Sequence, residues 1–196
     1  FYDLNPQVLE LDRKTLELCR DQFAHLEEIR DYNQLKMLRA FTDCGVEARH
    51  FLGSTGYGVW DDSRNKLEEV FSRCMGAEDA LVRPQFMSGT HTLTVALFGL
   101  LRAGDTLLAA TGRPYDTLEG VIGIGEAGKG CGTLQVYAIH YDEVLLLPDF
   151  TPDYAAIAEH AMTDTVVHIQ RSLGSTHRNA LDLHTIQKVA DTARKA

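Results

Sequence analysis

The sequence predicts an α/β fold: a mainly parallel sheet with helices on both faces, preceded by an N-terminal helical arm. Three observations point to it. From about residue 79, short β-rich runs alternate with helical patterns, the order that builds a parallel sheet. Helix-start signals stand ahead of several of those patterns. Before them, residues 6–39 are strongly helical in composition.

In chain order, Leu9, Leu16, Cys19, Phe23, Leu26 and Ile29 recur near helical spacing, and Pro6 suits a first helical turn. Residues 1–50 are read as an arm that packs on a partner subunit. Phe51-Leu-Gly-Ser-Thr-Gly-Tyr-Gly-Val-Trp60 is a glycine-rich loop. Asp62 or Ser63 then caps a helix over 63–74, with Leu67, Val70 and Phe71 inward. Residues 51–196 form the α/β part. Its strands are expected near 79–83, 106–110, 134–139, 143–147 and 164–169, and its helices near 90–102, 116–122, 153–162 and 182–195. Asp116 with Glu119 makes a capping-box pattern. Thr151-Pro152 reads as an N-cap followed by Pro at the first helical position.

Composition narrows the classes of function. The chain has 196 residues, 44% hydrophobic and 24% charged, which suits a substantial core. Its net charge of −9 comes with no basic stripe, so nucleic acid and anionic membrane are poor partners. No apolar run approaches the roughly 20 residues that span a bilayer, and no signal peptide is visible. The four cysteines stand far apart, which fits a cytoplasmic chain with reduced thiols. The eight histidines are scattered, and no metal site is read. The chain opens on Phe1 and closes inside a helical pattern, so it is expected to be a piece of a longer polypeptide.

Ligands in parallel α/β sheets sit beyond the carboxyl ends of the strands, so the segments after the strands are the candidate sites. Ser88-Gly89-Thr90 lies between a β-rich run and an apolar helical pattern. Free amides and the helix dipole at such a turn favour an anion; an ordinary capped helix is the other reading. Tyr115, in Thr111-Gly-Arg-Pro-Tyr-Asp-Thr117, is available to stack on a flat ring or to pack on the helix start. Arg64 offers a planar fork and Tyr57 a hydroxyl; a salt bridge from Arg64 to Asp61, Asp62 or Glu68 is the alternative. In Gln170-Arg-Ser-Leu-Gly-Ser-Thr-His-Arg178, the side chains of Arg171, Ser172, Ser175 and Arg178 could reach an anion, or form a solvated loop. Gly123-Ile-Gly-Glu-Ala-Gly-Lys-Gly130 matches G-x-G-x-x-G, but a helix precedes it and a β-like run follows, the reverse of what a nucleotide motif needs. It reads as a turn at a helix end.

Taken together, several segments resemble fold-type-I pyridoxal-phosphate (PLP) enzymes of the cysteine/methionine-metabolism group, and within it the aluminium-resistance-protein family, cystathionine β-lyase-like or methionine γ-lyase-like. The matching segments are Phe51 to Asp62 with Arg64, Gly76-Ala-Glu-Asp-Ala-Leu-Val-Arg-Pro-Gln85, Ser88-Gly-Thr-His91, Ala110-Thr-Gly-Arg-Pro-Tyr-Asp-Thr-Leu-Glu119 and Ile169-Gln-Arg-Ser172. The resemblance implies the large-domain half of that fold, in a C–S lyase-like enzyme acting on sulfur amino acids by β- or γ-elimination. Another fold-type-I activity (aldolase, transferase or racemase) and a non-catalytic truncated relative are the alternatives. The resemblance further implies that Ser88, Gly89 and Thr90 hold the cofactor phosphate and Tyr115 stacks on its ring. Tyr57, assisted by Arg64, would reach the phosphate of a neighbouring subunit's cofactor, in a homodimer or homotetramer with shared active sites. Gln170, Arg171 and Ser172 would contact cofactor ring or substrate. The Schiff-base lysine and the aspartate for the pyridine nitrogen are expected beyond residue 196, leaving this piece inactive alone. Where the family commonly carries Ser-Arg-Gly-Tyr-Ser-Trp-Arg, this chain reads Ser172-Leu-Gly-Ser-Thr-His-Arg178.

Overall fold

The structure, a computed structural model, describes residues 3–54, 56–57, 61–126, 132–174 and 176–196. Contacts divide the chain into two compact units, Phe1–Gln85 and Phe86–Ala196.

The first unit is helical. α1 (Pro6–Leu18) has Pro6 in its first turn and Asn5 as N-cap, its side chain accepting from Gln7 N at 2.8 Å. α2 (Arg20–Asp43) follows after Cys19 and buries only Ala40. A 3₁₀ turn, Ala48–Phe51, leads toward α3 (Asp62–Met75). The small core here is Ala40, Cys44 and Val70, with Phe41, Val46 and Cys74 packed on it. The N-cap of α3 is Asp61, not Asp62 or Ser63, and it makes no side-chain cap bond. Its carboxylate is taken instead by Ser54 Oγ at 2.8 Å and Arg64 Nε at 3.0 Å. Of the three side chains expected inward on this helix, Val70 is buried while Leu67 and Phe71 are exposed.

The second unit carries the sheet. α4 (Gly89–Leu100) leads to β1 (Thr106–Ala109), then α5 (Asp116–Ile122), β2 (His140–Glu143), α6 (Tyr154–His160), β3 (Thr165–His168) and α7 (Leu183–Lys195). The three strands run in the order β2-β1-β3, with both pairings parallel. Leu107 lies opposite Tyr141 on one side and Val166 on the other. Successive side chains of a strand point to opposite faces, and β1 uses both. Leu107 joins Leu97, Leu101, Leu118 and Ile122, from α4, its C-cap and α5, with Leu134 and Ile139. Leu108 joins Ile157, Ala161 and Val189, from α6, its C-cap and α7. Helices therefore cover both faces of a parallel sheet, as expected.

Several local expectations are corrected. Residues 79–83 form no strand. Val82 N donates to the Glu68 carboxylate at 2.9 Å, and Arg83 pairs with the same group, so the segment is fastened to α3. Residues 134–139 hold a 3₁₀ turn, Gln135–Tyr137, ended by Ala138 at φ 59°; Leu134 and Ile139 plug the core from either end of it. The strand expected at 143–147 does not form beyond Glu143; β2 instead occupies His140–Glu143, largely between the two runs expected to be strands. β2 is an edge strand, so its polar run His140-Tyr-Asp-Glu143 is tolerated, whereas Leu145 in the apolar run beyond is 65% exposed. The N-cap of α5 is Tyr115 with no side-chain cap bond; the Asp116–Glu119 box does not form because Glu119 pairs with Arg113. α6 starts at Tyr154, capped by Asp153 onto Ala155 N and Ala156 N, two residues later than Thr151-Pro152 suggests.

Candidate functional site at the strand ends

The loops that follow β1 and β3 meet beyond the carboxyl ends of the sheet. Gly112 N donates to Val144 O at 2.9 Å, which carries the loop after β1 across to the β2 side. Gln170 N donates to Thr111 Oγ1 at 3.1 Å, and Gln170 Oε1 accepts from Tyr115 N at 2.8 Å. The N-terminus of α4 joins them, since the hydroxyls of Thr90 and Thr117 lie 2.8 Å apart. Thr90, Tyr115 and Gln170, far apart in sequence, thus belong to one linked group.

Ser88 is the N-cap of α4. Its Oγ accepts from His91 N at 3.1 Å and its carbonyl accepts from Thr92 N at 3.0 Å. Among the described residues nothing accepts from Gly89 N or Thr90 N, the two amides ahead of those. Gly89 has no unusual φ, and a Cβ placed there would meet nothing within 4 Å. Neither backbone conformation nor neighbour packing therefore demands a glycine; its effect is to leave space in front of two free amides. A helix N-terminus of this kind attracts an anion through its donors and its dipole. The capped-helix reading and the anion-cup reading are compatible, because Ser88 uses its oxygen on the helix and keeps its O–H.

Tyr115 presents a half-exposed ring at the start of α5. Around it, Arg113 Nε donates to Glu119 Oε1 at 2.5 Å. That bond holds the Glu119 carboxyl below, and the Arg113 guanidinium above, their ordinary pKa values. Tyr141 donates to Glu143 Oε2 at 2.5 Å, and burial first, then this bond, push its phenol well above the usual range. Its proton stays on oxygen at any physiological pH.

The 170–178 loop is arranged differently from the expectation of open contacts. The Gln170 carboxamide is engaged with protein at both ends, Nε2 donating to Ser172 O at 3.3 Å. Arg171 and Ser172 are exposed. Arg178 is buried, 7% exposed, and donates to three backbone carbonyls rather than reaching solvent. No sequence pattern signals that a guanidinium next to His177 folds inward. Ser175 and the second half of the Gly123–Gly130 run, Lys129 included, lie outside the described residues. Gly123 itself ends α5 in a left-handed C-cap, φ 103°, the helix-end turn expected of it.

Tyr57 and Arg64 belong to the first unit. Tyr57 is 89% exposed. Arg64 is ion-paired to buried Asp61, the alternative weighed for it above. That unit also holds an apolar groove of about 310 Å³ lined by Phe41, Val46, His50, Phe51, Arg64 and Leu67, among others. The cations at its edge are already engaged, Arg64 by Asp61 and Lys66 by Cys44 O and Glu69. The strand-end group, with free donors facing open space, is the better candidate. Among the described residues there is no cluster of metal-ligating side chains, no helix is long and apolar enough to cross a membrane, and Cys19, Cys44 and Cys74 are free thiols.

Comparison with known proteins bears on what this group serves. The family model for methionine gamma-lyase matches residues 8–196. The uncharacterized protein YnbB of Bacillus subtilis strain 168 is 41% identical over 165 residues, which are 84% of this chain and 39% of that protein. A crystal structure of a carbon-sulfur lyase involved in aluminum resistance from Clostridium novyi NT superposes with a TM-score of 0.90 at 40% identity, covering 98% of this chain and 46% of that one. A candidate cystathionine beta-lyase involved in aluminum resistance from Clostridium acetobutylicum gives 0.91 at 37% identity, covering 99% and 46%. The chain thus spans less than half the length of these relatives.

Proposed function

We propose, for a chain that belongs to the methionine gamma-lyase family, that it forms the phosphate- and ring-binding part of a PLP-dependent C–S lyase acting on sulfur amino acids. The observation that carries the reading is the open space before Gly89, fronted by two unpaired amides, with Thr90 meeting Thr117 two residues after Tyr115. This donor set fits a phosphate ester with an aromatic ring beside it. Gly89 N, Thr90 N and the Ser88 hydroxyl would donate to the phosphate. The Tyr115 face would cover the pyridine ring, and Arg171 and Ser172, exposed at the strand end, would lie on the substrate side. Bound there, PLP would supply an electron sink for the carbanion left when an amino acid loses its α-proton, the chemistry that elimination of a sulfur group requires.

The reading extends to assembly. Tyr57, projecting into solvent, would reach the cofactor phosphate of a second subunit in a homodimer or homotetramer, with Arg64 held behind it by Asp61. The Schiff-base lysine would come from the part of the enzyme that its relatives carry beyond the matched span. Lys188 is not that residue, since its ammonium rests 4.0 Å from the centre of the Tyr154 ring on the α6–α7 side.

The test is made on the full-length protein. Wild type is expected to show a visible absorbance band with PLP and to release keto acid from cysteine, cystathionine or methionine. Gly89→Val puts its Cβ into space with no protein atom within 4 Å. It is expected to weaken PLP at least about tenfold, the loss of one or two charge-assisted bonds, with an unchanged urea midpoint. Full PLP affinity in folded Gly89→Val protein would overturn the phosphate assignment.

A further inference from the structure

We propose that Gln170 and Arg178 are positioning residues that set the ring of Tyr115, and that neither touches cofactor or substrate. The proposal rests on the cofactor-site reading above and reassigns Gln170 within it.

Gln170 spends its carboxamide on the protein. Oε1 takes the Tyr115 amide at 2.8 Å, across 55 positions of sequence, while Nε2 donates to Ser172 O. Its backbone is held as well, N–H on Thr111 Oγ1 and carbonyl under Arg178 Nη2 at 2.8 Å. Arg178 Nη2 also donates to Ser172 O at 2.5 Å, and Nη1 to Asn179 O at 3.2 Å. Among the described residues no carboxylate lies within ion-pair distance of this guanidinium. A buried cation without a counter-charge is costly, and burial alone lowers its pKa. The place of that counter-charge is taken by three backbone carbonyls, which the planar fork of a guanidinium can hold in fixed directions and an ammonium cannot. Here the fork ties Gln170 and Ser172 to residue 179, and Leu181 N closes the loop on Arg171 O at 2.9 Å.

The loop so tied also reaches the ring. Gly174 sits at φ +61°, and a Cβ there would stand 3.1 Å from Gln170 Nε2 and 3.3 Å from Tyr115 Cδ2. Tyr115 is thus held through its amide by Gln170, and its ring edge lies against Gly174. Tyr115 follows buried Pro114, whose φ is locked. With the backbone held on both sides, the ring plane is set before any ligand arrives.

The experiment uses the full-length protein and two readouts. In the cofactor-free state, hydrogen exchange at the Tyr115 amide reports the Gln170 bond. In the PLP-loaded state, visible circular dichroism reports ring stacking. Gln170→Ala is expected to speed exchange about tenfold and to reduce the dichroic band. Gln170→Glu keeps the acceptor and should hold exchange within about twofold of wild type. Arg178→Lys should behave like Gln170→Ala at Tyr115, because it acts through Gln170. Unchanged exchange in Gln170→Ala would overturn the proposal. So would equal loss of PLP affinity in Gln170→Ala and Gln170→Glu with Tyr115 exchange at wild-type values, the pattern of direct cofactor contact. A wild type that never binds PLP would instead remove the cofactor reading, and the exchange readout would still decide the brace.

Discussion

Leu108 of β1 and Leu26 of α2 are the same residue under opposite conditions, the first fully buried and the second 57% exposed. Leu108 sits on a sheet face that α6 and α7 close over, so its burial is supplied by its own unit. Leu26 stands on a helix of 24 residues that buries one alanine, alongside exposed Phe23, Ile29, Leu35 and Leu38. α1 and α2 are held by local terms: the Asn5 cap, Pro6, and ion pairs such as Glu10–Arg13, Glu27–Arg30 and Arg39–Asp43. Such exposed, solvent-screened pairs contribute little each. The contrast teaches that the α/β unit carries its own core, while the apolar side chains of the arm are left for something else to cover. A second copy of the chain is the occupant the sequence reading expects.

The contrast can be tested from its strongest point downward. Leu108→Ala removes a side chain with no exposed surface and should cost about 3–5 kcal/mol, read as a lower urea midpoint of the α/β unit. A loss below about 1 kcal/mol would mean that this core is not the source of stability. Asp153→Ala deletes the carboxylate that caps two amides of α6 and should cost about 1–2 kcal/mol by the same measurement. Leu26→Ala should change stability by no more than about 0.5 kcal/mol and instead weaken self-association, seen as sedimentation that depends on concentration. A loss as large as that at Leu108, or a wild type that is already monomeric at every concentration, would erase the difference between the units.

The smallest effect is a pH dependence. His160 Nδ1 and Asp142 Oδ2 lie 2.5 Å apart, joining α6 to β2, and Asp142 raises the imidazole pKa above its ordinary 6.5. A raised folded-state pKa means the tie contributes fully below about 6.5 and is lost as pH rises through the folded value. Both groups are more than a third exposed, so the contribution is screened and small. His160→Asn should lower the thermal midpoint slightly at about pH 5 and leave it unchanged at about pH 9. An equal shift at both values would show that the ion pair is not what His160 contributes.

Much of the fold was legible because its signals are local. Alternation from about residue 106 onward, the short run Thr106-Leu-Leu-Ala109 and the amphipathic pattern of 183–195 each announce their element within a few residues. Misreadings fall where a distant group decided the local state. Ala80 to Arg83 reads as a strand but is taken up by Glu68, and Asp116 loses its capping partner because Glu119 turns to Arg113. At the candidate site, Ser88 to Thr90 and Tyr115 were visible as residue types after strands. That Gln170 and Arg178 face inward was not, since the polarity of their loop is the same whether it meets water or backbone carbonyls.

By itself, then, the order of residues determined the helices, the strands β1 and β3, and which small-residue turn could cradle an anion, because propensity, capping and periodicity act over a few neighbours. Tertiary structure alone decided that Thr90 would meet Thr117, that Tyr115 would hang from Gln170, and that Arg178 would spend its charge on carbonyls. Those outcomes depend on which strand ends the parallel register brings together, and register is settled by packing over the whole sheet.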